Sequence, residues 1–254
     1  MSLYIETIGR GDDVVLIHGW GINGAVWNRV AEALAHNHCV HIVDLPGHGL
    51  SAPVEPYSLP QMAAAFDEAF PLPVHVVGWS LGGAVAVEWA LAQPDKIRSL
   101  TLTASSPCFM QREDWPEGTP ADVLDKFANG LADNFQMTIK MFLGLQVLGS
   151  AHARPVLREL EKRVFSRGEP QREALMAGLE VIRDTDLRPH AAKLECPLLL
   201  QYGERDGMTS LSAGHWYAHH AGGRLVVHLG GGHAPFISHE ADFVAELKAF
   251  LADN

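Results

Sequence analysis

Cysteine is scarce in this chain. Cys39, Cys108 and Cys196 are the only three in 254 residues; they are odd in number, far apart and match no C-x-x-C or metal-finger spacing. A disulfide framework is excluded on that count, and ordinary core thiols in a reducing compartment are expected. No metal and no cofactor is expected. Basic charge is also in short supply, with 19 Lys and Arg against 30 Asp and Glu and a formal net charge of −11. A nucleic-acid binder needs a dense basic surface, so this balance argues against that class. Long apolar runs are missing too. The longest, Gly82 to Ala92, is too short to span a bilayer and is interrupted by Glu88. The first residues, Met1-Ser2-Leu3-Tyr4-Ile5-Glu6, show no basic region followed by an apolar stretch, so no signal peptide is expected. The expectation is a cytoplasmic monomer with no membrane and no nucleic-acid partner.

What is present is a core. The chain is 47% hydrophobic and 19% charged, which suits one sizeable globular unit with room for an insertion. Strand-like runs (Val14 to Ile17, His38 to Val43, Val74 to Val77, Ile97 to Ala104, Cys196 to Tyr202, Arg224 to His228) alternate with helix-like runs (Ala25 to Ala35, Leu59 to Phe70, the stretch after Ser80, Leu211 to His220, Ala241 to Leu251). Such alternation predicts an α/β fold, a mainly parallel sheet with helices on both faces. From about Pro107 to Asp184 the pattern changes to amphipathic runs alone: Val123-Leu124-Phe127-Leu131, Phe135-Ile139-Phe142-Leu143 and Val156-Leu157-Leu160-Val164. The expected organisation is a core of residues 1–106 and 186–254 with a helical cap inserted at 107–185.

Residues 78–82 read Gly-Trp-Ser-Leu-Gly, a G-x-S-x-G between a short β-branched run and an Ala-rich run of helical length. A serine at a sharp strand-to-helix turn is held in a strained conformation with its hydroxyl in the open. Glycines are needed where the strand and helix crowd the turn. The turn also aims the Leu81 N–H and the start of a helix at whatever the hydroxyl attacks. Read alone, the pentapeptide is a Gly-Ser loop; its context makes Ser80 a candidate nucleophile.

Serine needs a base, and the base an orienting acid. Of fourteen histidines, His233 sits in a glycine-rich loop, Gly230-Gly231-Gly232-His233-Ala234-Pro235, just after the last strand. His239 stands where the final helix begins, and His215, His219 and His220 lie on a helix expected to face solvent. His18 is expected to brace a loop. Asp206 lies in the loop after the Cys196–Tyr202 strand, at the end of a parallel sheet where sites gather. Glu204 and Asp184 are alternatives for the acid. The order Ser80, Asp206, His233 is the hydrolase order of nucleophile, acid, base. His18-Gly19-Trp20-Gly21 follows the first core strand, and the Trp20 N–H is the expected second oxyanion donor beside that of Leu81.

These segments, together with Asp44-Leu45-Pro46-Gly47-His48-Gly49 and Tyr202-Gly203, resemble the α/β-hydrolase superfamily across essentially the whole chain. Ala104-Ser105-Ser106-Pro107-Cys108-Phe109, Phe142-Leu143 with Leu145-Gln146, Gly178-Leu179-Glu180 with Asp186-Leu187-Arg188, and the run from His233 to His239 are similar to the pimeloyl-[acyl-carrier protein] methyl ester esterases of biotin synthesis. The resemblance implies a serine carboxylesterase that releases methanol from a carrier-linked substrate, with Ser80, Asp206 and His233 catalytic. It further implies that Trp20 and Leu81 line the oxyanion site and that Phe142, Leu143, Gly144, Leu145 and Gln146 contact the acyl chain. The acidic acyl-carrier protein would dock on Arg154, Arg158 and Lys162, with Arg163 and Arg167 as further candidates. The segment before Phe142, with Met137 and Met141 beside Lys140, is less basic than that family's docking surface. Rival readings are a carbon–carbon bond hydrolase or lactonase on the same fold, a general short-chain esterase, or a non-enzymatic ligand receptor.

Overall fold

The computed structural model describes residues 2–254. Among them, seven strands form one sheet: β1 (Ile5–Gly9), β2 (Asp12–Ile17), β3 (His38–Val43), β4 (Val74–Trp79), β5 (Ile97–Thr103), β6 (Leu198–Gly203) and β7 (Arg224–His228), in the order β1-β3-β2-β4-β5-β6-β7. All neighbours from β3 to β7 pair in parallel, and β1 alone is antiparallel, pairing with β3 so that Ile5 faces Val43 and Gly9 faces Cys39. Every residue of β4 and β6 is buried. Central strands covered on both faces read as unbroken apolar runs, which is why they stand out in the sequence. β1 does not stand out, because it is a half-exposed edge strand mixing Ile with Glu and Thr.

The helices are α1 (Asn28–Leu34), α2 (Leu59–Ala69), α3 (Leu81–Ala92), α4 (Ala121–Asp133), α5 (Phe135–Gln146), α6 (Ala153–Val164), α7 (Arg172–Asp184), α8 (Arg188–Ala191), α9 (Leu211–Ala221), α10 (Pro235–Ser238) and α11 (Glu240–Ala252). α3 lies against β4 and β5 and is buried nearly all round. Gly82 and Gly83 carry no side chain, which lets the helix approach the sheet so closely; a methyl at either would collide with neighbouring atoms.

Between β5 and β6 stand α4 to α8. The two ends of this excursion are pinned side by side: Cys108 and Asp186 form an antiparallel bridge, and the Leu187 N–H donates to Pro107 O at 2.7 Å. α6 buries Val156, Leu160 and Val164, spaced four apart, and leaves Arg154, Arg158 and Lys162 exposed on other faces. The excursion is also tied to the sheet by Arg167, whose guanidinium donates to Asp44 at 2.8 Å and to Glu6. A buried ion pair of this kind is costly to break from one side.

Candidate active site

Ser80 occupies the turn between β4 and α3 at φ 55°, ψ −120°. A positive φ on a residue with a side chain costs on the order of 1–3 kcal/mol and persists only where the surroundings fix it. They do: Ser80 N–H donates to Thr103 O at 3.0 Å, and Ser80 O accepts from the Gly83 N–H and the Ser105 hydroxyl. The glycines are required sterically. A methyl at Gly78 would lie 2.5 Å from Gly82 O, and one at Gly82 would lie 2.3 Å from His18 O.

His233 is buried at the end of the β7 loop. Its Nδ1 is 2.8 Å from Asp206 Oδ2 and 3.2 Å from Thr209 Oγ. Asp206 Oδ1 accepts from the Met208 and Thr209 N–H groups, which fixes the carboxylate. An ionised Asp206 accepts from Nδ1–H, so the lone pair is on Nε2. That Nε2 is buried and has no hydrogen-bond partner among the described residues, and Ser80 and His233 line the same cavity. A base whose far nitrogen is anchored and whose near nitrogen is free to accept is poised to take a proton from a group entering that cavity. Glu204 instead accepts from the Gly230 N–H, and Asp184 is exposed on a different groove. His239 bonds Ser238 and Leu229 O, outside the cavity.

The loop after β2 approaches Ser80 closely, since a methyl on Gly19 would lie 3.1 Å from Ser80 Cβ. Two neutral histidines hold this loop. His18 Nδ1–H donates to Gly19 O and its Nε2 accepts from Leu45 N–H; His48 Nε2 accepts from Gly21 N–H. Burial, reinforced by His48, lowers the His18 pKa to about 3, and burial lowers that of His48 to about 4. Trp20 donates its indole N–H to Leu175 O, and its ring meets Phe142 edge-on at 4.7 Å. These contacts hold the Trp20 side chain against α5 and α7.

The cavity holds about 120 Å³ and is walled by Trp20, Phe109, Leu124, Phe127, Phe142 and Leu179 beside Ser80 and His233. Of the α5 residues expected on the acyl chain, Phe142 and Leu145 line it. Leu143, Gly144 and Gln146 do not: five consecutive helical residues cannot face one side, and only those three or four apart can. Leu143 is packed in the core, and Gln146 accepts the His233 N–H through its backbone carbonyl at 3.1 Å. Leu81 is buried and its side chain does not line the cavity. Leu148, 65% exposed, lies at the rim. Thr209, which the sequence reading passed over, is the missed neighbour of His233; its hydroxyl donates to Ala104 O, leaving its lone pair towards Nδ1.

Residues 14–247 match the alpha/beta hydrolase family. The chain belongs to that family. Among its relatives, the pimeloyl-[acyl-carrier protein] methyl ester esterase of Chromobacterium violaceum is 43% identical over 99% of this chain and 98% of its own. The protein of the same name from Aeromonas salmonicida is 43% identical over 99% and 100%. The solved esterase of Exiguobacterium antarcticum superposes with a TM-score of 0.91 at 24% identity, over 98% of this chain and 95% of that one, and so speaks for the fold alone.

In this alpha/beta hydrolase the five basic docking candidates divide. Arg163 pairs with Glu159 and Arg167 with Asp44 and Glu6, so both are structural. Arg154, Arg158 and Lys162 are exposed without an ion-pair partner among the described residues. Arg158 and Lys162 line a groove with Arg29, His152, Ile237 and Ser238 that shares no wall residue with the Ser80 cavity. No helix among the described residues is long and apolar enough to cross a membrane.

Proposed function

We propose that this chain is a serine carboxylesterase that hydrolyses the methyl ester of pimeloyl-[acyl-carrier protein] methyl ester, within biotin synthesis in the cytoplasm. For the chemistry, the carrying observation is the free, buried His233 Nε2 sharing a mostly apolar cavity with Ser80 while Nδ1 is anchored to Asp206. For the substrate, it is the full-length 43% identity to esterases of that name.

In the proposed reaction Ser80 Oγ attacks the ester carbonyl and its proton passes to His233 Nε2. The oxyanion is received by the Trp20 and Leu81 N–H groups. Collapse breaks the acyl–O bond, and His233 returns the proton to the departing methoxide, giving methanol and acyl-Ser80. Water then attacks through the same base and frees a carboxylic acid, which ionises. Apart from His233, no lining residue of the cavity can carry a positive charge. The product carboxylate therefore finds no cationic side chain besides His233 in a mostly apolar wall, which favours its release to water. Residues 107–185 act in this reading as the cap over the acyl chain, and Arg154, Arg158 and Lys162 receive the carrier protein.

The test compares methyl pimeloyl-carrier protein with p-nitrophenyl acetate, using wild type and Ser80→Ala. The carrier-linked ester should be the better substrate by kcat/KM. Ser80→Ala should lower turnover of both by at least about 10⁴-fold. Preference for the free acetate ester would make the protein a general short-chain esterase.

A further inference from the structure

The spacing of the cysteines suggests no metal site, but spacing along the chain misses ligands that meet across strands. Asp13 on β2 stands beside Cys39 on β3 in the parallel register, and His41 on β3 stands opposite Thr7 on β1. Cys39 and His41 are two apart on one strand, so both project from the same face of the sheet. There His41 Nε2 lies 2.8 Å from Asp13 Oδ1 and 3.7 Å from Cys39 Sγ, and the three ligand atoms lie within 4.8 Å of one another. All three side chains are partly solvent-accessible, and Asp13 and His41 border a depression walled by Ile5, Phe70 and Leu72.

We propose that Asp13, Cys39 and His41 form a binding site for a zinc-like divalent cation, with water in the fourth position. The donor set is thiolate, imidazole and carboxylate, which suits a borderline-soft, tetrahedral ion rather than Mg²⁺ or Ca²⁺. With bonds of about 2.3 Å to sulfur and about 2.0 Å to nitrogen, a tetrahedral ion needs S···N of about 3.5 Å, and 3.7 Å is already present. The carboxylate has only to open from its 2.8 Å hydrogen bond by roughly half an ångström. Thr7 Oγ, 2.9 Å from His41 Nδ1, supplies the outer contact. In the free site Nε2–H donates to Asp13 Oδ1; on metal binding the ring proton stands on Nδ1, where Thr7 Oγ accepts it, and the Nε2 lone pair goes to the metal. On binding, the Cys39 thiol releases its proton as the S–metal bond forms.

The site lies towards the strand starts of β2 and β3, whereas Ser80 follows the end of β4. Its effect is therefore structural: it would clip β2 and β3 together beside the antiparallel edge strand β1, and ester hydrolysis should not depend on it.

Co²⁺ titrated into the reduced full-length protein is the direct test. One ion per chain should bind, with a near-ultraviolet thiolate-to-cobalt charge-transfer band and d–d bands of tetrahedral intensity. Cys39→Ser should abolish the charge-transfer band, and His41→Gln should weaken affinity at least about tenfold. Zn²⁺ should raise the thermal midpoint of wild type but not of Cys39→Ser. All variants should keep wild-type esterase rates, which shows that they fold. Persistence of the charge-transfer band in Cys39→Ser would assign the thiolate to Cys108 or Cys196 and overturn the proposal. Cobalt bound by wild type with no thiolate band would overturn it equally, leaving His41–Asp13 an ordinary surface pair.

Discussion

The strand ends and the helical excursion between β5 and β6 build the same cavity by different rules. At the strand ends, backbone hydrogen bonds dictate position. Ser80 is held by Thr103 and Ser105, Asp206 by two N–H groups, and the Trp20 loop by His18 and His48. In the excursion, position follows helical periodicity alone: Phe142 and Leu145 face the cavity while Leu143 between them faces the core. In the proposed reading, chemistry rests on a rigid frame and selectivity on side chains that can change without disturbing it. Sites on rigid elements hold the sub-ångström tolerances that catalysis needs, whereas an apolar wall tolerates volume change.

The largest effect should come from the frame. Asp206→Asn leaves the shape but removes the charge that orients His233, and kcat should drop about 10³- to 10⁴-fold. Glu204→Gln and Asp184→Asn should stay near wild type in the same assay. A wild-type rate for Asp206→Asn would assign the acid elsewhere and undo the distinction between the strand ends and the helices.

Neighbouring residues of α5 sharpen the comparison. Leu143→Ala should cost about 2–5 kcal/mol of stability as a core cavity, measured by denaturant unfolding, with acyl selectivity unchanged. Phe142→Ala should lower kcat/KM for medium-chain esters about tenfold more than for acetate esters, since it removes wall that only a longer chain touches. Equal losses for both chain lengths would make Phe142 a packing residue like Leu143.

Ser80, His233 and Asp206 were legible because each sits in a short motif at a strand end, where local sequence and topology agree. The α5 residues were legible only as a segment. A resemblance transfers five adjacent letters, but a helix turns three of them, Leu143, Gly144 and Gln146, away from the cavity. Arg167 looked like surface charge because Asp44, its partner, is 123 residues away. β1 was unread because an edge strand buries too little to show a pattern. Thr209 carried no signal, since a lone Thr after Asp-Gly-Met means nothing until β5 brings Ala104 O beside it.

That Thr gives a smaller test of the frame. Its hydroxyl is a second acceptor for His233 Nδ1–H, and a neutral hydrogen bond is worth about 1 kcal/mol, roughly fivefold in rate. Thr209→Val should lower kcat by about that factor with KM unchanged, and Thr209→Ser should restore it. If KM rose instead, Thr209 would be acting through the cavity wall and not through His233.

An effect of similar size, confined to KM, should lie on the excursion's outer surface. Two acidic proteins repel at long range, but within about 10 Å at physiological salt the nearest charges decide. Arg154, Arg158 and Lys162 are free of ion pairs among the described residues, and α6 begins just after Leu148 at the cavity rim. A carrier protein seated there would lower its acyl chain past Leu148 towards Ser80, while its own body stays clear of the triad. Arg154→Glu with Arg158→Glu should raise KM for the carrier-linked ester about three- to tenfold and remove the weakening of docking by salt, because the local attraction that salt screens is gone. Turnover of p-nitrophenyl acetate should not change, since that ester needs no docking. If both substrates lost activity alike, α6 would matter through its packing on the core, and the groove of Arg158 and Lys162, separate from the cavity, would be ordinary solvated surface.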